Sequence, residues 1–125
     1  MPLTLLAIAL GGALGAVLRY LVATTVQRVA GPAFPLGTLT VNVVGSLLMG
    51  MLFVMLVERA VVGPEWRAAV LVGVLGAFTT FSTFSMETFN LMAEGRMLAA
   101  AVNMVASVAA CLAAVWLGVA LGRQL

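Results

Sequence analysis

The chain has 125 residues, 64% of them hydrophobic and only 8% charged. Soluble domains carry roughly 25% charged residues, so this composition excludes a water-covered surface and describes an integral membrane protein. Six arginines against four glutamates give a net charge of +2, and no basic run or stacking platform supports nucleic-acid binding.

The length accommodates about four spans of roughly 20 residues each, with little left for any domain outside the lipid bilayer. The N-terminus lacks the charged start of a signal peptide and no small-residue cleavage site follows, so the first apolar segment reads as retained. Span one covers about residues 3–26, and Gly11, Gly15, Gly12 and Ala16 place small residues on one face, where another helix can come close. Arg19 falls inside this span or near its edge. It reads either as an arginine snorkelling to the interface or as one at the mouth of an anion pathway.

The loop Ala30-Gly31-Pro32-Ala33-Phe34-Pro35 leads to span two, about residues 36–57. Thr38, Asn42 and Ser46 recur every four residues there and form a polar stripe on one helical face. Asn42 in lipid needs a partner, and interhelical bonding is one way to supply it. A connection carrying Trp66, an interfacial residue type, precedes span three at about residues 68–92. Span four covers about residues 97–121, with Asn103, Ser107 and Cys111 on a second polar stripe.

Span three holds the most unusual stretch. Residues 73–85 contain two glycines, three threonines, two serines and three phenylalanines. Lipid cannot satisfy those hydroxyls, nor backbone freed where glycines loosen a helix, so the stretch is expected to be broken and to face an interior pathway. A break at Gly76 and Thr79 would turn their carbonyls inward, a set of hard oxygens suited to a monovalent cation; the other reading is that Gly76 only permits close packing or a kink. Phe81 and Phe84, three residues apart, either pack as core or turn their electropositive ring edges toward an anion.

Arg59, Arg67 and Arg123 fall on the N-terminal side of a four-span chain and Arg19, Arg28 and Arg96 on the other. Three against three leaves no positive-inside bias, so the chain is expected to insert both ways up and to pair as an antiparallel homodimer. Nucleophilic catalysis has no serine–histidine or cysteine–histidine pair to run on, because histidine is absent, and Cys111 is the sole cysteine. Those absences argue against an enzyme. Hydroxyls and amides that donate without fixed charge suit passage of a small anion.

Three motifs carry a family resemblance: Gly11-Gly12-Ala13-Leu14-Gly15-Ala16-Val17-Leu18-Arg19-Tyr20, Gly37-Thr38-Leu39-Thr40-Val41-Asn42-Val43-Val44-Gly45, and Gly73-xx-Gly76-xx-Thr79-Thr80-Phe81-Ser82-Thr83-Phe84-Ser85. In this order, along the whole chain, they resemble the small fluoride channels called Fluc, or CrcB-like proteins. The resemblance implies an all-α, dual-topology homodimer in a microbial plasma (inner) membrane that exports fluoride passively and relieves its toxicity through two pores. It further implies that Phe81, Phe84 and Asn42 face the ion, that Ser82 and Thr83 continue its polar track, and that Arg19 lies near an aqueous vestibule. The carbonyls of Gly76 and Thr79 would hold a structural sodium ion, not transported, at the dimer centre. Ala77 stands where many relatives have a second glycine. Two other classes are weighed alongside: a four-span proton-coupled multidrug antiporter, which needs an acidic residue that span one lacks, and a non-conducting membrane assembly subunit.

Overall fold

A computed structural model describes Met1–Leu125. The fold is all helical. Four helices or helix pairs are long and apolar enough to cross a membrane: Pro2–Ala30, Leu36–Glu58, Pro64–Ala93 and Met97–Gln124. We label them α1 (Pro2–Ala30), α2 (Leu36–Glu58), α3 (residues 64–78), α4 (Phe81–Ala93) and α5 (Met97–Gln124), the third span being divided between α3 and α4.

Proline at the first turn starts both α1 and α3, where its missing N–H costs nothing. Gly31, at φ 86°, ends α1 in a conformation open to glycine. The last turn of α2 and the middle of α3, Ala68–Leu75, are wound wide, and Arg59 N–H accordingly bonds the carbonyl five residues back, at Val54, at 3.0 Å. The α1–α2 loop is tied by Gln27, whose Nε2 donates to the carbonyls of Gly31 (2.6 Å) and Phe34 (3.0 Å) while its Oε1 accepts from Gly37 N–H at 3.0 Å.

Two close helix pairs make the frame. On α1, Gly11 and Gly15 are buried against α3, where any Cβ would strike the carbonyl oxygens of Ala69 and Val74 respectively. Gly12 faces open space, so only one of the two small-residue pairs in span one makes the contact. On the other side α2 packs on α5: Gly50 lies under the Val115 carbonyl and Gly118 under that of Leu47. Backbones meet directly in both pairs. This is how helices associate when lipid supplies no hydrophobic drive and contact area must come from close approach.

Only 19 of the 125 residues are buried, and the outward surface is mostly large apolar side chains. For a soluble protein such a surface would be untenable; in a bilayer it is the ordinary solvent-facing side. The chain is a multi-pass membrane protein. At the end that holds both chain termini, Arg59 Nη2 donates to the Gly122 carbonyl at 3.0 Å and Arg123 pairs with Glu58 at 3.2 Å.

Candidate functional site

The α3–α4 junction interrupts the third span at Thr79 and Thr80, which are extended at φ −89°, ψ 159° and φ −152°, ψ 121°. Of the two residues expected at the break, Gly76 stays helical, at φ −61° and ψ −38°, and Thr79 is where the chain leaves the helix. The physical reason lies across the fold. Thr80 N–H, which would bond the Gly76 carbonyl in a continuous helix, donates instead to Asn42 Oδ1 on α2 at 2.7 Å. Asn42 Nδ2 returns a bond to the Thr80 carbonyl at 3.0 Å. One side chain thus holds both backbone groups of the residue at the gap.

Side chains satisfy the new helix ends. Thr80 caps α4: its Oγ1 accepts from Thr83 N–H at 3.3 Å and lies 3.1 Å from the Thr83 hydroxyl. Thr79 N–H and hydroxyl both donate to the Leu75 carbonyl at 3.1 Å. Arg19 Nε donates to the Ala77 carbonyl at 3.0 Å, placing a cation where the carbonyls at the end of α3 concentrate negative charge. The Gly76 carbonyl has lost its helical donor to Asn42, and the Thr79 carbonyl precedes the cap of α4, outside the α4 ladder. Gly76 itself is exposed. These two carbonyls are neutral, hard oxygen donors of the kind a sodium ion takes.

Beside the break a cleft of about 370 Å³ brings together residues of α2, the junction, α4 and α5, among them Asn42, Ser46, Thr80, Phe81, Phe84 and Ser107. Phe81 and Phe84 stand with ring centroids 5.4 Å apart, tilted by 49°. Phe81 is 76% exposed, so the cleft lacks a wall on that side within one chain. Asn42 keeps one amide hydrogen beyond the one given to Thr80. Ser82 is exposed and, with Thr83, lies outside this cleft, gathered around the Thr80 hydroxyl at 3.4 Å and 3.1 Å. Arg19 reaches the break at Ala77 and does not line the cleft.

The polar stripe of α2 therefore divides its work. Ser46 lines the cleft, Asn42 grips the break, and Thr38 Oγ1 donates to Glu87 Oε1 on α4. A second cleft, about 450 Å³, opens at the loop end between Gln27, Thr38, Glu87, Asn90 and Arg96. Sequence reasoning placed Thr38 on the polar stripe of span two without a partner for it, and it missed Gln27 and Thr88. No local signal pairs Thr38 with Glu87: Thr38 and Asn42 are one helical turn apart on α2, whereas their partners Glu87 and Thr80 are seven residues apart.

A family profile described as CrcB-like protein, Camphor Resistance (CrcB), matches residues 6–119. The chain is 56% identical over 125 residues to a protein of Methylococcus capsulatus (strain ATCC 33009 / NCIMB 11132 / Bath) named fluoride-specific ion channel FluC, covering all of this chain but only 55% of that relative's length. Proteins of the same name from Coxiella burnetii (strain Dugway 5J108-111) and Magnetococcus marinus (strain ATCC BAA-1437 / JCM 17883 / MC-1) are 49% and 52% identical. Those alignments cover 98% of this chain and 100% of the first, and 93% of this chain and 94% of the second. A profile match along nearly the whole chain, joined to full-length relatives at about half identity, shows that this multi-pass protein of the bacterial plasma membrane belongs to the CrcB-like family, which comprises channels and not enzymes.

Proposed function

We propose that the protein is a passive fluoride-selective channel that exports fluoride and relieves its toxicity, acting as an antiparallel homodimer with two pores. The observation that carries this reading is the interrupted third span. Mid-membrane, a cleft open on one side presents uncharged amide and hydroxyl groups next to two phenylalanine rings. Donors without fixed charge bind an anion firmly enough to admit it and weakly enough to release it, and ring edges add partial positive charge. The name carried by the relatives supports fluoride as the ion.

The exposed face of Phe81 supports a second copy as the missing wall. The expected sodium ion is proposed at the dimer centre on the Gly76 and Thr79 carbonyls of both copies. A cation held there would offset part of the cost of anions passing nearby. Phe81, Phe84 and Asn42 are assigned to the ion's path, Ser82 and Thr83 to its continuation, and Arg19 to the vestibule side of the break.

Efflux from liposomes containing the purified protein tests the reading. Fluoride release that needs no proton gradient is expected. Proton-coupled efflux of an organic cation would favour the antiporter class, and vesicles that release neither would favour an assembly subunit.

A further inference from the structure

Only two extended residues join α4 to α3, so the rotation of α4 about its own axis is set by what it touches. Three polar contacts reach it from other helices: Asn42 at Thr80, Thr38 at Glu87, and Asn103 of α5 at Thr88. The third is the most deeply placed. Asn103 is 1% exposed and Thr88 5% exposed. Asn103 Nδ2 donates to Thr88 Oγ1 at 2.9 Å, and the Thr88 hydroxyl in turn donates to the Phe84 carbonyl at 2.8 Å. Asn103 Oδ1 accepts from Ser107 Oγ at 3.4 Å, so both functions of its amide are engaged inside the α4–α5 contact, and it is absent from the lining of the cleft.

Apolar helix faces in lipid have little to choose between neighbouring rotations, whereas a buried hydrogen bond is directional. A slip of α4 by one residue would swing its phenylalanines by about 100°. We infer that Asn103 is a positioning residue: by holding Thr88, one turn beyond Phe84, it fixes the rotation of α4 and hence the direction in which Phe81 and Phe84 present their rings to the ion. This inference rests on the channel reading above.

The test uses full-length protein in liposomes at low density, loaded with fluoride. The fraction of vesicles that empty counts folded assemblies, and the rate per emptying vesicle reports the path itself. Asn103→Leu is expected to lower that rate at least tenfold with the emptying fraction kept. Thr88→Val is expected to do the same, Thr88→Ser to restore the native rate, and the Asn103→Leu/Thr88→Val pair to be no slower than the slower single variant. A native rate in Asn103→Leu, or a fall confined to the emptying fraction, would overturn the inference. If Asn103→Leu does not fold, Thr88→Val against Thr88→Ser decides: equal rates overturn the inference, and a slow valine variant beside a native-like serine variant supports it. Native protein that releases no fluoride would instead overturn the channel reading.

Discussion

Asn42 holds the N–H and the carbonyl of Thr80 at once, and this is what keeps the third span open at one place. Asn42→Leu would leave both of these half-buried groups without their partner. We predict loss of fluoride efflux together with a lowered unfolding temperature in detergent. Asn42→Asp keeps the acceptor for Thr80 N–H but puts a negative charge beside an anion's path. Its efflux is predicted to fall by more than tenfold while the protein stays assembled, as size-exclusion chromatography would show; efflux at the native rate contradicts the assigned role. Phe81→Ile and Phe84→Ile keep bulk and remove ring edges, so each is predicted to suppress efflux with the assembly intact. The sodium proposal makes a separate demand: since carbonyls supply the oxygens, Thr79→Val, which removes the hydroxyl at similar volume, should retain sodium binding, and loss of the ion in that variant points to the side chain.

Among the elements, the α1–α3 contact leaves no room for a side chain at Gly11 or Gly15. Gly15→Val would drive a branched side chain into the Val74 carbonyl, next to the break. Overpacking of this kind costs typically about 1–3 kcal/mol, and here it displaces backbone. Reduced thermal stability is predicted for Gly15→Val and not for Gly12→Val, whose Cβ would meet no neighbour; equal loss in both would contradict the packing described. The existence of four apolar spans and the small-residue face of α1 were legible in the chain because hydrophobic length and glycine spacing are local signals. The break was legible at Thr79 but not at Gly76, which stays helical, because glycine marks only where a helix can yield. What makes this one yield is a distant acceptor, Asn42, together with the cap supplied by Thr80. The same limit hid the Thr38–Glu87 and Asn103–Thr88 bonds: Thr38 and Asn103 stood out as polar in apolar spans, but only the tertiary fold supplies their partners.

At the scale of the whole molecule, Arg59, Arg67 and Arg123 lie at the end that holds the chain termini and Arg28 and Arg96 at the other, while Arg19 is drawn inward to the Ala77 carbonyl at the break. So small a difference is compatible with the antiparallel homodimer proposed above, and it can be enlarged on purpose. Val61→Arg with Gln124→Arg would bias insertion one way, and Val29→Arg with Glu94→Arg the other. Each double variant alone is predicted to lose fluoride efflux, and co-expression of the two is predicted to restore it; full efflux from one singly oriented population would contradict an antiparallel pair. The most direct test of the central claim is a paired efflux measurement on liposomes holding equal fluoride and chloride, each followed with its own electrode. The account predicts that fluoride leaves rapidly and passively while chloride stays. Vesicles that keep their fluoride, or release both ions together, would contradict it.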